Sequence, residues 1–325
     1  HFTWQKEFLD SEHYTRFVKN RLNRKKDIAL QDTELSVAPT RSFLSQYTRL
    51  FSRYALRKLR DRSSLIIQLS QTPIICGILG WLFYNEGHAL QTAQEITAFR
   101  MEALLNMIQL QNGAHPTLFL IAAAAFWFGC SNVAREIVSD RAIFLREKRT
   151  GLRSSAYLSA IFSYQIVLAS IQSFLIAAII WPLLSFSANF FLGWGILSLI
   201  SACGVALGLL VSAIAKTEVT AISAIPILLL PQLMLGGFIK LYGQLISQGV
   251  QDNFADLMPI RWAFEAMANL EYQELTQMNE HVRSLDNIIG FASRTPFTAC
   301  GILFLFTSIF LLLTLIRIEF NSNKN

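Results

Sequence analysis

Six stretches of this chain contain no Asp, Glu, Lys, Arg or His: 65–84, 117–134, 156–181, 190–214, 219–238 and 297–316. A helix that crosses hydrocarbon needs roughly 17–25 mostly apolar residues. Helices of soluble proteins normally keep one polar face and these runs keep none, so the pattern predicts six membrane-spanning helices. Between the second and third runs the chain breaks into REIVSDRAIFLREKRTGLR (135–153), which holds nine charged residues. A charge at mid-membrane costs roughly 2.5–3.5 kcal/mol, so nine would cost on the order of 20 kcal/mol, and this stretch must lie outside the lipid. Read as a helix, it gathers Ile137, Val138, Ala142, Phe144 and Leu145 on one broad face and Glu136, Asp140 and Glu147 on a second.

The segments around the runs have patterns of their own. Residues 42–60 repeat Phe43, Tyr47, Leu50, Phe51 and Tyr54 at helical spacing on one side, with Arg49, Arg53, Arg57 and Arg60 on another. That predicts an amphipathic helix at the headgroup layer, leading straight into the first span. Residues 85–116 predict a helix with Ile96, Phe99, Ala103, Met107 and Leu110 on one face. Residues 239–296, with MPIRWAFEAMANLEYQ, predict short helices at or dipping into the outer leaflet. In the fourth run Gly204, Gly208 and Ser212 recur every four residues, a pattern for close helix approach, either within one subunit or between two. In the fifth, Pro226, Pro231 and Gly236-Gly237 predict a kink or break near the outer end. Residues 1–41 are polar and basic and read as a solvated linker, with a nucleic-acid- or lipid-binding arm the alternative; starting at His1, they suggest the tail of a longer chain.

Composition agrees with the membrane reading: 53% of the 325 residues are hydrophobic and only 15% are charged, against about 25% charged in an average soluble domain. The distribution of the +6 net charge orients the chain. With both termini cytosolic, 23 of the 28 Lys and Arg fall on the inner side and 5 on the outer, as the positive-inside rule requires. The charged stretch 135–153 is then cytosolic. Its three acids are more than an anchor needs. They suit a docking surface for a basic partner, or pairing with the arginines of 42–60.

Several chemistries are absent. All five His lie outside the runs, and no ionisable residue sits within them, so proton-coupled carriers and intramembrane hydrolases lack their groups. A sodium site built from backbone carbonyls remains open. The four Cys lie singly in four different runs without CxxC spacing, which makes them packing residues rather than a metal or redox site. No Lys follows a Gly, so no phosphate-binding loop of the G-x-x-x-x-G-K-[ST] type exists here. If the protein moves a solute uphill, the ATPase lies elsewhere.

These parts, in this order, resemble the membrane domain of ABC-2-type exporters, more narrowly the G-subfamily (White-type) half-transporters. The resemblance spans about 42–320. It rests on the amphipathic helix ending in LRDR (59–62) and on EIVSDRAIFLRE (136–147) directly after the second span. It rests also on Gly151 and Ala156-Tyr157 at the third span, on GGF (236–238) and on PIRWAFEA (259–266). It implies an all-α polytopic membrane protein with six transmembrane helices, an amphipathic connecting helix, a cytosolic coupling helix at about 139–150 and outer re-entrant helices. By residue it implies a polar relay of Arg57, Arg60, Glu136, Asp140, Arg141, Phe144, Arg146 and Glu147. It implies a substrate cavity at Phe126, Phe128, Asn132, Leu230 and Met234, and an outer plug at Phe238 and Ile239. Gly-Phe-Ile departs from the bulkier plug pattern of that subfamily.

The implied partners are an ABC nucleotide-binding domain, fused or separate, that binds ATP and Mg; a second copy of the membrane domain; and membrane lipid, with no nucleic acid. The function expected is export of a lipid-like, amphipathic or drug-like substrate across the plasma membrane, with 321–325 a cytosolic tail. The alternative is a non-transporting anchor or sensor whose charged loop docks a cytosolic partner.

Overall fold

The computed structural model describes residues 2–20, 42–95, 100–184, 186, 188–236, 252–278 and 295–323; for 2, 3, 5, 84–95, 100–116, 252, 253, 272–278 and 323 it describes the backbone alone. The chain divides into two units, His1–Ser42 and Phe43–Asn325. The first holds α1 (Phe2–Leu9), α2 (Glu12–Tyr14) and a π-helical turn at Thr15–Lys19. Ser11 starts α2, its Oγ accepting a hydrogen bond from the Tyr14 amide at 3.1 Å.

The second unit is a succession of helices: α3 (Phe43–Arg60), α4 (Arg62–Glu95), α5 (Arg100–Val133), α6 (Glu136–Lys148), α7 (Ser154–Leu184), α8 (Phe190–Ile214), α9 (Glu218–Leu235), α10 (Asp252–Asp256), α11 (Pro259–Met278) and α12 (Pro296–Asn323). Among the described residues no strand forms. Six segments are long and apolar enough to cross a membrane: Arg62–Phe83, Thr117–Lys148, Ser154–Leu184, Phe190–Ile214, Glu218–Leu235 and Pro296–Ser322. They match the six apolar runs in number and order. The Thr117–Lys148 segment is interrupted by a turn at Ala134–Arg135, where the apolar run ends and the charged helix α6 starts. The last helix continues past residue 316 to Asn323, since Glu319 finds a cation, Lys148, at 2.8 Å.

The centre of the bundle is α8, which is buried on most of its faces. A Cβ added at Gly204 would sit 2.2 Å from the Phe126 carbonyl oxygen, and one at Gly208 2.4 Å from that of Cys130. From the other side, a Cβ at Gly129 would meet the Ser201 carbonyl oxygen at 2.1 Å. α5 and α8 therefore touch backbone to backbone, and only glycine permits the approach. The small-residue stripe packs inside one subunit.

α9 runs through Pro226 and Pro231 without interruption and stops at Gly236, so no break falls within its described length. Proline is tolerated in a membrane helix when neighbours or local adjustment satisfy the freed carbonyls. α11 does not lie on a surface: from Ile260 to Glu271 it is buried on all sides, against α5, α8 and α12, with Phe264 edge-on to Phe119 at 5.6 Å. Arg261, although charged, is 1% exposed and pairs with Asp256 and, at 3.5 Å, with Glu265. Its guanidinium also lies 4.2 Å from the Trp262 ring centroid. Buried charge survives only when compensated in this way.

Candidate functional site

α3 lies along α7 and faces α6. Its inward face is Gln46, Leu50 and Tyr54, with Tyr47 and Phe51 packed beside them. The apolar part fills a small core with Ile137, Phe144, Tyr157 and Ile161. Phe144 rests on Tyr157 with ring centroids 4.6 Å apart. Packing this face brings the flanking cations of α3 onto the acids of α6.

The three acids of α6 are each taken by α3. Arg53 donates two parallel hydrogen bonds to Glu147 at 2.6 and 2.9 Å, and Arg57 two to Asp140 at 2.9 and 2.7 Å. Glu136, 4% exposed, pairs with Lys58 and accepts the Tyr54 hydroxyl at 2.5 Å. Gln165 of α7 donates to the same hydroxyl at 3.0 Å. Burial, then the neighbouring Glu136 charge, holds the Tyr54 phenol well above its ordinary pKa, so it stays a donor. The hydrogen bonds to their carboxylates raise both guanidinium pKa values. Between the helices runs a groove of about 260 Å³ lined on its outer rim by Ile143 and Arg146.

The ends of α6 are fixed separately. The backbone amides of Ile137 and Val138 both donate to Ser212 Oγ, at 3.0 and 3.1 Å. Arg141 returns two hydrogen bonds to the end of α8, at Ala213 O (3.2 Å) and Ala215 O (2.7 Å). Lys148 bridges to Ser154 Oγ at 2.7 Å and to both oxygens of Glu319 at 2.8 Å. Beyond α6 the chain turns at Gly151, whose φ of +94° suits glycine. Gln46 clasps that turn, donating to Gly151 O at 3.0 Å and accepting from the Arg153 amide at 2.9 Å. The helix thus begins at Glu136 and ends at Lys148, three residues earlier than expected at its start and two at its end.

Of the expected relay residues, the structure brings Arg57 of α3 onto Asp140, pairs Glu136 and Glu147 with other cations of α3, and sets Arg141 against α8 and Phe144 in the apolar floor. Arg146 stays exposed on the rim. Arg60 is exposed and forms no ion pair among the described residues. Its place in the ladder is held by Arg53 and Lys58, with Tyr54 and Gln165 added. The four-residue spacing of the arginines signalled the ladder without its register. Ser212 had a signal only as a small residue.

The expected cavity residues separate. Phe126 and Phe128 are enclosed by the chain's own helices, at 0% and 1% exposure. The outward stripe of this span is Leu120, Ala124, Trp127 and Ser131, at i, i+4, i+7 and i+11, and Trp127 is its large exposed member. Asn132 is buried in a polar cluster: it donates to Gln172 at 2.7 Å and accepts from Gln71 at 3.3 Å, and Gln172 donates to Gln68 O at 2.7 Å. It ties three spans together. Leu230 and Met234 are exposed on α9. Phe238 and Ile239 lie outside the described residues, as do Ile96 and Phe99 of the outer segment. Among the described residues no cluster of metal-ligating side chains occurs.

Comparison with known proteins bears on this arrangement. A family model described as ABC-2 type transporter matches residues 45–272. The chain is 29% identical over 163 residues to an ABC transporter ATP-binding/permease protein of Mycobacterium tuberculosis (strain ATCC 25618 / H37Rv). That alignment covers 46% of this chain and 18% of the relative, so the chain spans less than a fifth of the curated relative it matches.

Proposed function

The chain belongs to the ABC-2 type transporter family: it is a multi-pass membrane component of an ABC transporter, and we propose that it serves as the permease of an ATP-driven exporter. The carrying observation is the ladder of Arg53–Glu147, Arg57–Asp140 and Lys58–Glu136 between α3 and α6. A helix held by charged pairs outside the lipid, and leading directly from one span to the next, is suited to pass a push into the bundle. The push comes from a nucleotide-binding domain carrying ATP and Mg, as the description of the mycobacterial relative as an ATP-binding/permease protein suggests. The exposed rim residues Ile143 and Arg146 are where that domain docks.

Two copies of the membrane domain enclose the substrate path. Trp127, Leu230 and Met234, all exposed in one subunit, supply its apolar lining, which favours an amphipathic or lipid-like solute. Both termini lie in the cytosol of a plasma membrane, as the charge distribution supports. The relay then works by keeping α6 and α3 moving together when the ATPase domains close.

The test is a charge swap in proteoliposomes holding the complete transporter and a rhodamine-type amphipathic dye as probe. Arg53→Glu and Glu147→Arg each lower ATP-dependent dye movement at least fivefold, and the double swap restores most of it. If all three variants match the parent, the ladder is not the coupling element. If the parent moves no dye while hydrolysing ATP, the substrate class is wrong.

A further inference from the structure

The ladder joins α6 to α3, and through α3 to the first span, but it does not reach α8. The contact with α8 is made by two other groups and is chemically reciprocal. A helix start leaves unsatisfied N–H groups and a helix end leaves unsatisfied C=O groups. Ser212, near the end of α8, accepts two of the first amides of α6. Arg141, one turn into α6, donates to two of the last carbonyls around α8, where the helix dipole favours a cation. Asn321 of α12 adds a second side-chain donor to Ala213 O, at 3.4 Å.

The two junctions differ in stiffness. Two of the three rungs of the ladder, those of Arg53 and Arg57, are half in solvent, at 58% and 47% side-chain exposure, where ion pairs are weak and exchange readily; the Lys58–Glu136 rung alone is buried. Ser212 is fully buried, and of its two acceptor contacts the one from Ile137 is enclosed by protein and the one from Val138 partly so. α8 is in turn pressed backbone to backbone on α5 at Gly129, Gly204 and Gly208, which leaves no compressible side chain between them.

We infer that Ser212 and Arg141 are positioning residues that lock α6, α8 and the second span into one rigid body, so that displacement of α6 is delivered to the core of the bundle and not only to α3. This rests on the coupling role of α6 proposed above. The inference assigns the fourth span as the driven element.

Spin labels at Ser139 and Leu192, both exposed and at opposite ends of the α6–α8 unit, test it in the complete transporter. Cys300 is replaced by Ala, and labelled chains are diluted with unlabelled ones. The parent gives one narrow distance, unchanged between the nucleotide-free and the ATP–vanadate states. Ser212→Ala with Arg141→Met broadens or shifts it, and Arg141→Lys in place of Arg141→Met restores part of the narrow peak. Amide exchange gives a second reading: Ser212→Ala speeds exchange of Ile137 and Val138 about tenfold, the cost of a lost cap. In transport of the same dye, movement falls about tenfold while ATP hydrolysis by the same preparation is kept, a split that loss of folded protein, which lowers both together, would not produce.

The proposal is overturned if the parent distance itself changes with ATP–vanadate, or if the double variant keeps both the narrow distance and slow exchange. Absence of dye transport by the parent would sink the exporter reading alone, because the distance and exchange measurements need no transported substrate.

Discussion

Glu136 and Glu147 carry the same charge on the same helix, yet their surroundings give them different weights. Glu136 is nearly sealed, and Lys58 is its cation. Removing one partner of a buried pair leaves an uncompensated charge, a loss of about 3–5 kcal/mol. Lys58→Met should therefore lower thermal stability in detergent by about 3 kcal/mol, read as a large drop in melting temperature. Arg53→Ala breaks a pair that is more than half solvated on the arginine side, so its stability cost should stay under about 1 kcal/mol. Its effect belongs to dye transport instead. A melt in which the two variants fall equally would contradict this assignment. The acids were legible in the sequence because mixed charge stands out between two apolar runs. Their partners were not, since Arg49, Arg53, Arg57 and Arg60 share one stripe and only the crossing of α3 over α6 selects among them. The middle pair meets Asp140 and Glu147, while Arg49 and Arg60 overshoot at the ends. Lys58, off the stripe, reaches Glu136 because that acid lies deeper, at the base of the second span.

At the scale of helices, one α8 supplies its own control. A Cβ at Gly204 would collide with backbone, whereas one at Gly195 would meet nothing within 4 Å. Gly204→Ala should reduce the yield of folded protein severalfold, since two main chains must separate. Gly195→Ala should be neutral or stabilising by up to about 1 kcal/mol, the helix propensity difference. Yield and melting temperature in the same detergent check both. The second span makes a similar contrast. Phe126→Ala should cost about 3–5 kcal/mol of stability as a core truncation. Trp127→Ala should leave the melt nearly unchanged and raise the KM for the dye. The six spans were readable from apolar runs alone, because lipid demands continuous greasiness at a fixed length. Which flank of a span faces inward was not readable, since lipid-facing and core-facing residues are equally apolar. The Gly129, Gly204 and Gly208 contacts set that rotation, and they depend on three-dimensional approach. The burial of α11 was hidden for the reverse reason: its charged residues look like a surface helix until their partners are seen.

At the scale of the whole molecule, the distribution of Lys and Arg makes a statement about sidedness that membrane-impermeant maleimide can check. A cysteine at Ser139 should be labelled only after the cytosolic face is opened, and one at Leu257 from outside on intact cells. Both positions are exposed, and the reverse pattern would invert the topology. The cap on α6 has a consequence for how such a subunit is made. Synthesis proceeds from the N-terminus, and the hydroxyl of Ser212 is encoded 75 residues after Ile137, the first amide it receives. At about 5–20 residues per second, α6 waits roughly 4–15 s for it. During that interval its first turn has only water for those amides, and Arg141 has no helix end to grip. The surface that a motor would dock on becomes firm only once the fourth span has entered the membrane and closed against the second. A nascent chain that stalls or misinserts before that point is left with a frayed first turn of α6.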